Sequence, residues 1–207
     1  MKNSIVLEML HQKRIEELKA ALQDEIFTES LKHKPDAKKR YAAMKKYISY
    51  TSSVRDILQK PCPVEIEGRK YLSFCNSYSL ALTTESCGEI PICEVPDRYP
   101  NVARLINYDG TARKIDIARV IAEAKSSGYK LTKNATHNND YLMHYDGAYF
   151  RIALIDITYS IINDGKEARV YHVEGTRRSI TITTDLGIAI VMPVNIDGEP
   201  EGVVIEI

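Results

Sequence analysis

The 207-residue sequence predicts an α+β fold, a mainly antiparallel sheet with helices on one face and a long helix ahead of it. Three observations point there. Apolar residues recur at three- and four-residue steps over the first sixty positions. Alternation replaces that period after Pro61-Cys62-Pro63. Turn signals at Gly68, Asp146-Gly147 and Asp164-Gly165 then divide short β-branched runs. The division expected is a helical segment over 1–35 and an α+β body over 36–207, with halves at 36–105 and 110–207.

Residues 4–31 predict one helix, capped by Ser4, with Ile5, Leu7, Ile15, Leu18, Leu22 and Ile26 on its apolar stripe. A stripe this long packs on the body or pairs with a second copy. It ends near Pro35, because the residue before proline is driven out of helical geometry. A second helix is expected from Asp36 to about Lys60, marked by Tyr41, Met44, Ile48 and Ile57. Its basic run is either a solvated face or a phosphate-contacting one.

The stretches VEIEG, RKYLSFCNS and YSLALTT read as three successive strands. GEIPICEVPDRYPN, with three prolines, reads as an extended connector. RKIDIARVIAEAKSSG predicts a helix over 113–127 with Ile117, Val120, Ile121 and Ala124 on its stripe and Gly128 ending it. YLMHYDG and AYFRIA flank Asp146-Gly147, a strong hairpin signal. LIDITYSIIN fits a helix by the spacing of Leu154, Ile157 and Ile161 and a strand by its β-branched content. EARVYHV, RSITITTDL and IAIVMPVNI are expected to close the chain as strands. Helix-then-strands order occurs over 39–84 and again over 113–194, a similarity of element order rather than of residues.

Composition excludes several classes. Lys+Arg and Asp+Glu are both 28, so no global field points to nucleic acid or membrane. The charge is uneven, however: residues 1–60 hold 13 basic and 8 acidic side chains, a basic arm on an acidic body. No apolar run approaches the roughly twenty residues that span a bilayer. The first residues do not read as a secretory leader, and Cys62, Cys75, Cys87 and Cys93 lack metal or redox spacing. A cytoplasmic protein with reduced, packed thiols is expected, with no membrane partner.

No phosphate loop, dinucleotide fingerprint or nucleophile elbow is present. His137, Asp140 and His144 match no common metal-ligand spacing, and no histidine stands out as partner to a cysteine. No catalytic residue, metal or cofactor is expected. Thirteen tyrosines against three phenylalanines leave two readings for Tyr41, Tyr47 and Tyr50: half-buried packing with a polar tip, or base stacking beside the lysines.

The order of elements over 113–196 and the closing pair RSITITTD and IAIVMPVNI resemble one half of a DNA sliding-clamp domain. Bacterial clamp chains finish on an apolar strand bearing Met-Pro. AYFRIALIDITYSIIN resembles the strand and short helix of that family. EGRKYLSFCNSYSLALTTE resembles a strand pair of clamp-like proteins from bacterial mobile elements. The likeness is closest over 145–196, weaker over 40–131 and absent from 1–34.

This resemblance implies a DNA-clamp-like domain, a non-enzymatic processivity-factor-like docking platform in DNA transactions. The alternative is a protein-interaction or regulatory module that keeps the fold without binding DNA. The implied DNA-facing residues are Lys38, Lys39, Arg40, Lys45 and Lys46, then Arg113, Lys114, Arg119 and Lys125, reading backbone charge on a duplex. The implied pocket for peptide motifs of replication or repair proteins is Ile190, Met192, Pro193 and Val194. Two departures stand out. LIDITYSIIN has no basic residue and carries Asp156, and the chain has room for about one clamp domain, so several copies would have to assemble as a homo-oligomer.

Overall fold

A computed structural model describes residues 2–50, 56–94, 98–106, 108–109, 112–173, 175–196 and 198–207, and the side chains of 2–5, 56 and 57 are not among those described. The chain is α+β with a large antiparallel sheet and a long N-terminal helix. Helix α1 runs Lys2–Ser30 and α2 runs Pro35–Tyr50. The expected Ser4 cap and Ile5 fall on side chains outside the described set. Residues 51–55, over which the second helix is expected to continue, also lie outside it. A short 3₁₀ turn at Asp56–Gln59 follows, which places Lys60 in the approach to the sheet rather than on a helix.

Strands β1 (Cys62–Ile66), β2 (Arg69–Cys75) and β3 (Ser79–Thr83) form the expected meander. The region 84–106 holds no strand or α-helix among its described residues and has a 3₁₀ turn at Val102–Leu105. The helix expected over 113–127 is divided. Arg113–Ile115 is strand β4, and α3 occupies Ile117–Ser126 with the Asp116 side chain accepting from the Arg119 backbone N–H as its cap. Arg113-Lys114-Ile115 pairs with Val170-Arg169-Ala168, so the local helical period yields to a sheet edge.

Next come β5 (Tyr141–Tyr145), β6 (Ala148–Arg151), α4 (Ile152–Ile162), β7 (Ala168–Tyr171), β8 (Ile180–Thr184), β9 (Gly187–Val191) and β10 (Val203–Glu206). Asp146 and Gly147 both take positive φ, 49° and 79°, as a tight hairpin turn demands. The ambiguous stretch 154–163 is helical. All of α4 but Ser160 is buried, and a helix covered on nearly every side belongs in a core whatever its β-branched content.

One sheet has seven strands in the order β1-β2-β3-β9-β8-β7-β4, all antiparallel. The other has the order β10-β5-β6, and β10 lies parallel to β5. Pairing of β3 with β9 joins the first half of the body to the second. Both central strands are buried along their whole length, which is why SLALT and GIAIV lack the alternation of a half-exposed strand. Gly187 is required there: a Cβ on it would stand 1.9 Å from the Leu82 carbonyl oxygen.

Helices α2 and α4 cover one face of the large sheet through Phe74, Ala81, Ile182, Ala189 and Val191. The opposite face carries a second apolar cluster, Cys62, Cys75, Leu80, Leu82, Ile188 and Ile190. It is roofed by Leu58, Cys93, Tyr99 and Val102, so the expected extended connector serves as a lid over that side. All four cysteines are free. Burial pushes the thiols of Cys62 and Cys75 up to about 11, as packed thiols should behave.

Candidate nucleic-acid interface

Tyr41, Ala43, Met44 and Tyr47 anchor α2 in the core, and the Tyr47 hydroxyl donates 2.9 Å to the Ser79 carbonyl. The lysine face of α2 is thereby turned outward. It forms one wall of a cleft of about 720 Å³ whose other walls come from α4 and from the end of α3. Lys39, Arg40 and Lys46 enter from α2, Lys125 from α3, and Tyr129 and Lys130 from the turn beyond it. Asp156, Ile157 and Ser160 come from α4.

Lys130 is not among the residues to which the sequence points. Gly128, at φ +98°, reverses the chain after α3, and the Tyr129 N–H returns to the Ala124 carbonyl at 3.0 Å. That reversal brings Tyr129 and Lys130 back over the cleft. A lysine two residues past a helix-ending glycine is the available signal.

The floor is acidic. Asp156 is 5 % exposed, accepts from Ser160 Oγ at 3.3 Å and lies 3.6 Å from Lys125 Nζ. The buried Tyr129 hydroxyl faces the Asp156 carboxylate. Burial, then the neighbouring Asp156 charge, push its phenol far above the ordinary tyrosine range. The cleft therefore has a rim of cations interrupted by Asp36, which pairs with Lys39, over a floor of one carboxylate and one neutral hydroxyl.

The candidate basic residues do not form one set. Lys39, Lys46 and Lys125 line the cleft, and Lys38 is exposed on α2 but does not line it. Arg40 lines the cleft but is largely committed to the fold. Its Nη2 donates 2.8 Å to Glu85, its Nη1 donates 3.1 Å to the Asn163 carbonyl, and its side chain is only 13 % exposed. Lys45 turns toward α1, where it donates 2.9 Å to Asp24 and sits 4.7 Å over the Tyr41 ring. Arg113 and Lys114 lie on β4. Arg113 donates 2.8 Å to Asp146, and Lys114 lines a separate cleft with Lys166, Arg169, Asp164 and Asp185. Arg119 is exposed on α3, outside the basic cleft.

No protein-family model, curated protein or solved structure matches the chain.

Among the described residues no three His, Cys, Asp or Glu side chains converge as a metal site, and no helix is long and apolar enough to cross a membrane.

At the closing strand, Ile190 is 3 % exposed and packs in the roofed cluster. The Met192 N–H donates 2.9 Å to the Tyr78 carbonyl, and the Val194 N–H donates 2.9 Å to the Tyr149 carbonyl. Pro193 stands between them, where the chain leaves the seven-stranded sheet and reaches an isolated bridge to β6. A residue without a ladder donor suits that crossing. Met192 and Tyr78 are 44 % and 49 % exposed, whereas Pro193 and Val194 are half-buried.

Proposed function

We propose that the protein is a non-enzymatic, DNA-clamp-like docking platform in DNA transactions, and that it meets duplex phosphates at the cleft between α2, α3 and α4. The observation that carries this reading is the convergence of Lys39, Lys46, Lys125 and Lys130 on one cleft from elements far apart in sequence. Cations gathered in this way bind phosphate through charge and counterion release and carry no base readout of their own. The resemblance of 145–196 to a sliding-clamp half supplies the class of function.

The test is anisotropy of a fluorescent duplex across a salt series. Micromolar or tighter binding that weakens steeply with salt is expected. Exchanging Lys39, Lys46 and Lys130 together for glutamine should flatten the slope by roughly 2–3, at about 0.9 for each phosphate no longer neutralised. An absence of binding at low salt rejects the DNA role.

A second reading, a protein-interaction module that keeps the fold without DNA, is favoured by the exposure of Met192 beside Tyr78 and of the apolar residues of α1. A stable assembly with no duplex binding is its signature.

A further inference from the structure

We infer that α1 pairs two copies of this chain as an antiparallel helix dimer centred between Glu16 and Glu17, with Leu7, His11, Ile15, Leu18, Leu22 and Ile26 as its seam. The root of α1 is held to the body. Phe27 packs edge-on against Tyr41 at 4.8 Å and lies over Gly88, while Asp24 accepts from Tyr41 and Lys45. Beyond that root, residues 6–23 are exposed on every side. At 1.5 Å per residue they project about 27 Å into solvent.

A helix without tertiary packing is marginal in water, and an apolar stripe needs cover. The stripe cannot find that cover on its own body. At 100° per residue, Asp24, Phe27 and Leu31 fall on the opposite side of the helix from Leu18 and Leu22.

The stripe is built to meet itself. Its steps are four, four, three, four and four residues, the same read from either end. In an antiparallel pair Leu7 then faces Ile26, His11 faces Leu22 and Ile15 faces Leu18 of the second copy. A parallel pair does not require such symmetry, and it would set Arg14 beside Lys19 of the other helix on both flanks. The antiparallel register places Arg14 near Ala21 and Lys19 near Gln12, with no like-charge contact. Because the steps average more than the 3.6 residues of a turn, the seam drifts in the sense that gives a right-handed crossing.

The area suffices. Leu7, Ile15, Leu18, Leu22 and Ile26 are 46–62 % exposed. At roughly 100 Å² each plus flanking stems, two copies cover about 1,000–1,200 Å², the lower bound of a specific interface. No seam residue lines the basic cleft, so this pairing stands or falls apart from the nucleic-acid reading.

Sedimentation velocity on the full chain tests it, with a mass near twice 23.4 kDa expected at micromolar concentration. Leu18→Glu should raise the dimer dissociation constant at least about 100-fold by burying a charge at the centre. Its melting should stay that of the wild-type body, since Leu18 touches nothing there. A wild-type monomer at about 100 μM, or a Leu18→Glu variant that stays dimeric, overturns the proposal. Orientation is read by mixing His11→Cys and Leu22→Cys copies under oxidation. Cross-links between the two variants are expected, and cross-links of each variant only to itself overturn the antiparallel arrangement.

Discussion

Lys125 Nζ lies 3.6 Å from Asp156 Oδ2, a surface cation bound to a carboxylate that α4 holds in the floor of the basic cleft. That carboxylate opposes any anion resting on the rim. Asp156→Asn keeps the shape and an acceptor for Ser160 while removing the charge. It should tighten duplex binding at low salt by about 3-fold, the effect of one charge several ångströms away in high dielectric. Anisotropy of both proteins on the same duplex checks this, and weaker binding by the variant would place the ligand elsewhere.

Arg40 and Lys39 are neighbours in sequence with opposite duties. Arg40→Ala strands the partly buried Glu85 and the Asn163 carbonyl, and should cost about 2–4 kcal/mol of stability. Lys39 is exposed with only a surface pair to Asp36, so Lys39→Ala should stay within about 0.5 kcal/mol. Urea unfolding of the two variants separates them. A charge-reversal series that includes Arg40 would confuse misfolding with weakened binding.

Gly187→Ala should destabilise the centre of the sheet by about 1–3 kcal/mol, as overpacking does. The added methyl meets the backbone of β3, which cannot turn aside as a side chain could. Thermal melting of the variant against wild type is the measurement, and an unchanged midpoint would mean that β3 and β9 have room to separate.

His172 is 4 % exposed, and its Nε2–H donates to the Arg178 carbonyl at 3.2 Å. Burial lowers its pKa below the usual 6.5 and outweighs Asp146, whose carboxylate lies 3.9 Å from Nδ1 and is shared with Arg113. A depressed pKa means that the unfolded chain takes up the proton first. The stabilising contribution is therefore complete above pH 6.5 and declines as pH falls below that value toward the folded pKa. Wild type should melt lower at pH 5.5 than at 7.5, and His172→Gln should narrow the difference. An equal pH dependence in the variant would assign it to other groups.

Local signals determine much of the fold. Asp146-Gly147 announces its hairpin because only a few residues accept positive φ at both turn positions, and Gly68 and Gly128 punctuate β1–β2 and α3 for similar reasons. What sequence alone leaves unsettled is decided at long range. α4 is helical because the core surrounds it, whereas LIDITYSIIN by itself supports helix and strand alike. Arg113 and Lys114 leave the helical period to pair with β7, and β10 escapes notice because VVIE is short and gains its partner from Tyr141–His144. The basic cleft is half legible: Lys39, Lys46 and Lys125 can be named, but not their convergence, nor the diversion of Lys45 to Asp24 and of Arg40 to Glu85.

The β3–β9 seam sets a timetable for synthesis. Ser79 pairs with Val191, so β3 leaves the ribosome more than a hundred residues before its partner strand exists. At about 5–20 residues per second that interval lasts on the order of ten seconds. Throughout it, SLALT presents an unpaired, charge-free edge on a half-built meander, the kind of surface that invites pairing between nascent chains. Expression should therefore respond to trigger-type chaperones and to lower temperature, and a fragment ending before β9 should be recovered mainly as aggregate.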